Sequence, residues 1–326
     1  MLNYTIRRLL LAIPTLLGIT IVTFTIINLA PGDPAKFQVQ GITDPRVSAR
    51  VYEDLRKYYG LDKPIHERYV QWLWRLARLD FGISMSPDSR QVTEKIKERL
   101  WPTMSLALIS IIGGLTLAIP IGIYSAARQN GLFDTVSSTF LYALYAVPSY
   151  VMAVPLILFV GVKWDLLPFQ GMHSDNYEML GPWEKFVDLA RHYALITFCF
   201  TYGALAYDSR FVRQTMLESI RQDYVRTARA KGVSEYGVVI RHAFRNSLIP
   251  VVTLLGLLLP EIIGGSVILE VMFNWPGMGR LFFDSMLARD YPTIMALSFV
   301  SAALVLLGTL LADLSYALVD PRVAYD

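Results

Sequence analysis

Charged residues and cysteines are scarce in this sequence. Asp, Glu, Lys and Arg make up 17% of its 326 residues, whereas they make up about 25% of an average soluble domain. The net charge is only +3, which gives no reason to expect a nucleic-acid partner. Cys199 is the one cysteine. An intramolecular disulfide is therefore excluded, and the apolar sequence around Cys199 favours a buried structural thiol over a redox role.

Signatures of several enzyme classes are absent as well. The sequence has no G-x-x-x-x-G-K-[ST] phosphate-binding loop and no G-x-S-x-G nucleophile turn. His66 and Glu67 begin like the zinc motif H-E-x-x-H, but Val70 stands where the second histidine is needed. We therefore expect this chain to hold no metal and no cofactor of its own.

Long apolar windows are what the sequence has instead. Apolar residues make up 54% of the chain, and the mean hydropathy is +0.40. A helix needs roughly 20 apolar residues to cross a bilayer, and four windows of this kind contain no charged residue: residues 9–32, 100–127, 135–162 and 291–312. Since no strand-like alternation accompanies them, we predict an all-α integral membrane protein.

We predict six transmembrane helices. The first follows Arg7 and Arg8 and is too long for a cleaved signal peptide. The fourth is the most polar, because it contains Asp188, Arg191 and His192. The predicted spans are Arg8–Asn28, Pro102–Ala127, Leu132–Val162, Val187–Tyr207, Ser247–Leu269 and Pro292–Leu318.

The distribution of basic residues predicts the orientation of these spans. Residues 210–245 carry eight Lys or Arg against three acids, whereas residues 163–190 carry two against five. Short loops rich in Lys and Arg stay in the cytoplasm. We therefore place the basic loop and both termini on the cytoplasmic side of the cell membrane, which leaves residues 31–101 outside.

Three regions follow from this arrangement. Residues 1–30 hold the N-terminus and the first span, residues 31–101 form an extracytoplasmic helical insertion, and residues 102–326 form the core. The core includes a cytoplasmic loop at residues 208–247.

The insertion is predicted to fold as short helices. Residues 44–60 have the pattern of a helix that ends at Gly60, and a third short helix is expected at 92–102, just before the second span. Trp72 and Trp74 suit a membrane interface. Residues 63–82 are predicted to contain a helix with one apolar face, formed by Tyr69, Trp72, Leu73 and Leu76.

The basic loop has a helical pattern of its own. Residues 222–231 are predicted as a short helix, with Gly232 in the positive-φ conformation that ends helices. Ser234 is then placed to cap a second helix. On composition alone, this loop is either a cytoplasmic topology signal or a compact knob that enters a groove on a soluble partner.

The loop resembles the cytoplasmic loop of ABC-importer permeases. That loop has the general form E-A-A-x-x-x-G, and the matching positions here are Arg226, Thr227, Ala228 and Gly232. The sequence departs from this form at its first two positions, Arg226 and Thr227. These departures are similar to the sequence of one branch of the family, the dipeptide and oligopeptide permeases, and so are "RTARAKG" and "RHAFRNSLIP". Further resemblances to that branch run in order along the chain: "LAPGDPA", "YGLDKPIHERYVQWL", "GGSVILEVMFNWPGMGRL" and "LADLSYALVDPRV".

The resemblance implies a six-helix permease subunit of a prokaryotic ABC importer of di- or oligopeptides. Its partners would be a second related permease, two cytoplasmic ATPases that bind ATP and Mg, an extracytoplasmic substrate-binding protein and the lipid bilayer. Nickel chelates and oligosaccharides stay open as cargo. The residues that would couple to an ATPase are Val225, Arg226, Thr227, Ala228, Arg229, Lys231 and Gly232.

The resemblance also draws attention to the end of the fifth span. A gate or a binding-protein contact is expected at Glu270, Asn274, Trp275, Pro276, Gly277 and Gly279. Within the fifth span, Glu261 is costly in lipid unless it faces water or a partner, and we expect it to line the translocation path. A membrane enzyme is the distant alternative, but only the isolated Glu261 and Asp313 would supply its chemistry.

Overall fold

The computed structural model describes residues 2–29, 33, 35–36, 39, 43–247 and 265–319, and these residues are mostly helical, without a β-strand. The first helices are α1 (Leu2–Leu29), α2 (Pro45–Tyr58), α3 (Ile65–Leu76) and α4 (Val92–Ala127). Next come α5 (Leu132–Tyr145), α6 (Ser149–Pro155, continued by a π-helix at Leu156–Lys163) and α7 (Pro182–Ile220). The remainder are α8 (Asp223–Ala230), α9 (Glu235–Gly237, continued by a π-helix at Val238–Phe244), α10 (Val267–Met272), α11 (Met278–Leu287) and α12 (Tyr291–Val319).

Three of these helices, α1, α4 and α12, are long and apolar enough to cross a membrane. The predicted third span is broken, because α5 and the helix that starts at Ser149 meet at an angle of 92°. The break lies at Pro148, and the hydroxyl of Tyr202 donates a hydrogen bond to the free carbonyl of Val147 beside it (2.5 Å). The predicted fourth span lies within α7, and most of the fifth, including Glu261, lies outside the described residues.

The most extensive contact between two helices is that between α4 and α7. At Gly122 of α4 an added Cβ would lie 2.7 Å from the carbonyl oxygen of Ser209 and equally close to the side chain of Val212. Gly114, about two turns earlier on the same face of α4, would place a Cβ 3.3 Å from Thr201. Glycine therefore lets the two backbones approach each other, as small residues do in membrane helix pairs.

A second helix pair, α1 with α12, carries the segment that contains α2 and α3. The predicted apolar face of α3 is confirmed, because Trp72 and Leu76 are buried against Phe24 of α1. The rings of Trp72 and Phe24 stack with centroids 5.8 Å apart. Trp72 is thus a core residue, whereas Trp74 remains exposed, as a residue at a membrane interface would be.

The helix boundaries in this segment follow the sequence with two exceptions, one of which is that α3 ends at Leu76, before the end of the predicted stretch. Asp44 caps α2 by accepting a hydrogen bond from the backbone of Arg46 (2.8 Å), and Gly60 beyond its end has φ +64°. The separate helix expected at 92–102 was wrong, because it forms the first turns of α4. Pro102 does not break that helix, since the carbonyl it leaves without a partner belongs to the exposed Glu98 and can bind water.

Asp290 connects α12 to the loop before α4. Its buried carboxylate accepts hydrogen bonds from the hydroxyl of Ser84 (2.5 Å), the backbone of Met85 (2.8 Å) and the hydroxyl of Thr293 (2.6 Å). Since Asp290 directly precedes α12, the same group caps that helix. The segment before α4 is therefore held to the start of α12 by hydrogen bonds as well as by apolar packing.

Candidate functional site: the basic loop and the 265–280 turn

The basic loop folds as a small helix that turns back at Gly232. The predicted helix at 222–231 is confirmed as α8, and Gly232 has φ +76°. Backbone hydrogen bonds close the turn, from Gly232 to Arg229 (2.9 Å) and from Val233 to Ala228 (3.2 Å). Ser234 caps α9, as predicted, by accepting a bond from the backbone of Gly237 (3.4 Å).

One face of α8 is buried in the chain itself. Val225 and Ala228 are almost completely enclosed in an apolar cluster with side chains from α7 and from the π-helix that follows α9. Two residues of the expected coupling set therefore hold α8 in place and do not face outward. The cluster is completed by Ala126, Val212, Met216, Leu217, Val238, Val239 and Ala243.

The opposite face of α8 is exposed and basic. Arg226, Thr227, Arg229 and Lys231 all lie on the surface. Arg229 forms two hydrogen bonds with the carboxylate of Glu235 across the turn, at 3.2 and 2.6 Å. These bonds hold the pKa of Glu235 below its usual value, so the pair is formed at neutral pH.

Two tyrosines flank this basic face, and the sequence analysis missed them. Tyr236 is 78% exposed and Tyr224 is 40% exposed. Tyr224 is fixed by a 2.6 Å hydrogen bond between its hydroxyl and that of Ser219. The available signal for Tyr236 was an aromatic residue two positions after the Ser234 cap, within a polar stretch.

Two of the basic residues that were used to predict the orientation form ion pairs within the chain. Arg213 binds Asp134, and Arg210 lies 3.9 Å from the same carboxylate. Asp134 also accepts a bond from the backbone of Asn130 (2.9 Å). The turn between α4 and α5 is thereby fixed to α7, on the same side of the molecule as α8.

The 265–280 turn is built around the buried Glu270. Its carboxylate accepts hydrogen bonds from the hydroxyl of Thr103 (3.0 Å) and from the backbone of Arg280 (3.0 Å). Burial raises the pKa of Glu270, and these hydrogen bonds act in the opposite direction. The indole of Trp275 donates to the carbonyl of Pro102 (3.2 Å), and its ring meets that of Tyr193 edge to face at 4.6 Å.

The expected gate residues therefore face inward, with one exception. Glu270, Trp275, Gly277 and Gly279 are buried and Pro276 is half-buried, whereas Asn274 is exposed with φ +51°. An added Cβ at Gly277 would collide with the Glu270 carboxylate, so glycine is needed there for space.

Thr103 joins this turn to α4 and was missed by the sequence analysis. Its hydroxyl donates to Glu270 and also accepts a bond from the backbone of Met278 (2.8 Å). No sequence signal distinguishes Thr103 from the other hydroxyl residues in the apolar stretch around it.

Metal chemistry finds no support at these places. Across residues 43–247, 265–319 and the other described positions, no group of three or more His, Cys, Asp and Glu side chains is placed to hold a metal ion.

Comparison with known proteins gives matches over the whole chain. Residues 118–325 match the family described as binding-protein-dependent transport system inner membrane component. Residues 1–107 match the family that describes the N-terminal part of the membrane component of such transport systems. The chain is 40% identical to the oligopeptide transport system permease protein AppB of Bacillus subtilis over 322 residues, 99% of each chain.

Two further relatives align over equally long stretches. The dipeptide transport system permease protein DppB of Escherichia coli K12 is 34% identical over 344 residues, covering 100% of this chain and 99% of the relative. The glutathione transport system permease protein GsiC of Shigella boydii is 35% identical over 325 residues, covering 100% of both chains.

The family is one of permease subunits of ABC transporters, which are not enzymes themselves. Together with the apolar helices, these matches make the chain a multi-pass membrane protein that works with a substrate-binding protein and ATPases. The chain belongs to the binding-protein-dependent transport system inner membrane component family.

Proposed function

We propose that this chain, together with a second related permease, forms the translocation path of an ATP-driven importer of di- or oligopeptides. The observation that carries the proposal is the full-length similarity to permeases named for oligopeptides, dipeptides and glutathione, all of which are peptides. Two cytoplasmic ATPases would bind ATP and Mg, and an extracytoplasmic protein would deliver the cargo.

The proposed arrangement in the membrane has six spans and both termini in the cytoplasm. The spans are α1, α4, the bent pair α5 and α6, α7, the predicted fifth span, and α12. The 31–101 insertion lies outside. The exposed basic face of α8 supports this orientation, because Lys and Arg in short loops favour the cytoplasm.

A pair of single-cysteine variants tests the orientation. Met179, between α6 and α7, is 90% exposed, and Thr227 is exposed on α8. In a Cys199→Ser background, a membrane-impermeant maleimide should label Met179→Cys in intact cells and Thr227→Cys only after permeabilisation. The reverse pattern would overturn the orientation.

We further propose that α8 is the contact with an ATPase. Arg226, Thr227, Arg229 and Lys231 would form the contact, and Gly232 would set its angle. Force on α8 would pass through Val225 and Ala228 to the π-helix at Val238–Phe244, which leads directly into the fifth span. Closure of the ATPase dimer would then open the path outward, and hydrolysis would reverse the change.

The other end of the fifth span would be held rigidly by the 265–280 turn. Glu270 and Trp275 fasten the 265–280 turn to α4, and the exposed Asn274 is the residue left to touch a binding protein. Glu261 would line the path. Transport by Glu261→Gln and Glu261→Ala tests that role, and two variants with wild-type transport would exclude it.

The experiment that tests the function as a whole is purification of the tagged chain from its native membranes. A second permease, two ATPases and a peptide-loaded binding protein should co-purify. A binding protein loaded with nickel chelates or oligosaccharides would change the cargo and keep the mechanism. Purification of the chain alone, under conditions that preserve such complexes, would contradict the proposal.

A further inference from the structure

A cavity of about 360 Å³ lies between α1, α3, the start of α12 and the loop before α4. Its walls are aromatic on several sides, with Phe24, Trp72 and Tyr291 among them. The guanidinium groups of Arg68 and Arg75 also line it. Aromatic walls with two convergent arginines are a combination suited to an anionic ligand.

Neither arginine forms an ion pair within the described part of the chain, although one carboxylate, that of Asp80, lines the same cavity. Neither Arg68 nor Arg75 has a carboxylate there within the 4.0 Å of an ion pair. The carboxylate of Asp33 is the charged group that interacts electrostatically with Arg68. The two oxygens of Asp33 are already occupied by the hydroxyl of Tyr52 (2.6 Å) and the backbone of Ala35 (2.9 Å).

The environment of Arg68 makes the absence of a direct ion pair costly. Its side chain is half-buried, and this burial lowers the pKa of the guanidinium. Arginine nevertheless stays protonated in proteins. A partly desolvated cation gains from an anion that enters the cavity, because the anion replaces the lost hydration.

An apolar groove of about 450 Å³ adjoins the cavity. It runs between α1, α11 and α12 and is lined mainly by apolar side chains, among them Ile26, Phe282, Met286 and Ile294, with one cation, Arg289. Ile27 and Tyr291 line both spaces, so the groove begins where the cavity ends. A small free anion would gain no apolar contacts in this groove, whereas an acyl chain would bury its surface there.

The position along the helices matches the boundary of a bilayer. The apolar stretch of α1 ends at Leu29, and that of α12 begins at Tyr291. The groove faces the apolar part of both helices, and the arginines lie on α3, which packs along the last turns of α1. An anionic phospholipid has the same order of parts, with a phosphate next to its acyl chains.

We propose that this cavity binds the headgroup phosphate of an anionic phospholipid through Arg68 and Arg75, with an acyl chain in the groove beside Ile26 and Met286. The inference goes beyond the proposed function and does not depend on the cargo. It gives the 31–101 segment a role of its own, as one wall of a lipid site.

Native mass spectrometry of the purified permease complex tests the proposal. Phosphatidylglycerol or phosphatidylcholine is added to delipidated protein, and the bound lipid is counted. The Arg68→Gln/Arg75→Gln variant should bind phosphatidylglycerol roughly tenfold more weakly, a change of about 1.4 kcal/mol, and should lose its preference over phosphatidylcholine. Arg68→Lys keeps the charge and should retain part of the preference.

The matched control is Arg78→Gln. Arg78 lies over the exposed ring of Trp74, at 4.7 Å from its centroid, and does not line the cavity. It should bind phosphatidylglycerol like the wild type. Equal binding by the double variant and by this control, or a wild type without preference for phosphatidylglycerol, would overturn the proposal.

A second arm distinguishes a lipid from a free anion. Ile26→Trp fills the groove, and Ile26 does not line the cavity that holds Arg68 and Arg75, so the variant should weaken phosphatidylglycerol binding. Inorganic phosphate should compete only at a large excess, because it cannot use the groove. If phosphate competes at equal concentration and Ile26→Trp has no effect, the site holds a free anion and the lipid assignment is wrong.

Discussion

The guanidinium of Arg213 binds both carboxylate oxygens of Asp134, through Nε and Nη2 at 2.7 Å each. The two residues come from different helices, α5 and α7, and both side chains are largely removed from solvent. A bidentate pair of this kind has the strongest geometry available to an arginine and a carboxylate. It fixes the turn between α4 and α5 to α7, which directly precedes α8.

Asp134→Leu should therefore destabilise the protein strongly. Removing one partner of a buried ion pair leaves the other charge uncompensated, which costs roughly 3–5 kcal/mol. Thermal denaturation of the detergent-solubilised protein measures the loss. Asp223→Leu is the control, because Asp223 and Arg226 form an exposed pair at 3.6 Å of a type that contributes about 0–1 kcal/mol. Equal melting temperatures for both variants would contradict the prediction.

Gly122 and Gly113 should respond in opposite directions to alanine. Gly122→Ala places a Cβ against the Ser209 carbonyl and Val212, and overpacking of this kind costs about 1–3 kcal/mol. Gly113 lies on the same helix with nothing within 4 Å of an added Cβ. Gly113→Ala should stabilise the helix by up to about 1 kcal/mol. The same melting assay checks both, and a tolerated Gly122→Ala would show that α4 and α7 can separate.

Features that depend on a few consecutive residues could be predicted from the sequence. The end of α8 at Gly232, the Ser234 cap and the apolar face of α3 all follow from local backbone conformation or helical spacing, and all are present. Features that join distant residues could not. Asp134 and Arg213 are 79 residues apart, and Thr103 and Glu270 are 167 apart.

The burial found at the candidate site has the same origin. The sequence analysis counted Arg213 among the basic residues of a cytoplasmic loop, because a carboxylate in another helix leaves no signal near it. It expected a gate or a binding-protein contact at Glu270 and Trp275 from the resemblance of "GGSVILEVMFNWPGMGRL" to the end of the fifth span in the permease branch. Their burial depends on contacts with α4. The sequence analysis had predicted the first turns of α4 as a separate helix at 92–102 and not as part of the second span. Val225 and Ala228 are buried for a similar reason, since the π-helix that covers them comes later in the chain.

Thr103→Val should loosen the 265–280 turn. The variant removes one of the hydrogen bonds to the Glu270 carboxylate, which keeps its bond from the Arg280 backbone, and it leaves the Met278 backbone N–H without the Thr103 acceptor. An unsatisfied buried group costs about 1–3 kcal/mol. Thr103→Ser keeps both hydrogen bonds and should retain most of the stability. Proteolysis of the native protein within residues 265–290 measures the effect. Identical cleavage rates in the two variants would contradict a structural role for the hydroxyl.

Gly232→Pro should leave the protein in the membrane and uncouple peptide transport from ATP hydrolysis. Proline cannot adopt φ +76° and removes the N–H that bonds to Arg229. Gly232→Asn is the matched control, because nothing lies within 4 Å of an added Cβ and asparagine tolerates the left-handed region better than other residues. Transport and ATPase activity are measured together in proteoliposomes. Wild-type coupling in a normally assembled Gly232→Pro complex would exclude the proposed role of this turn.

Arg229 and Glu235 allow the ion pair to be separated from the proposed ATPase contact. Both Arg229→Gln and Glu235→Gln break the same pair. Because the folded-state pKa of Glu235 is lowered, the pair stabilises the turn above the unfolded pKa of glutamate, near 4.3. That contribution is lost as the pH falls through the lower folded value, so an assay at pH 7 compares each variant with an intact wild-type pair.

The two variants should have similar stability, since an exposed pair contributes about 0–1 kcal/mol. Their effect on coupling should differ, because Arg229→Gln removes a cation from the exposed face of α8, whereas Glu235→Gln frees that cation. We expect Arg229→Gln to reduce ATP-dependent transport and Glu235→Gln to leave it close to wild type. If both variants lose transport equally, the pair matters only for the shape of the turn, and the charge of Arg229 does not contact the ATPase.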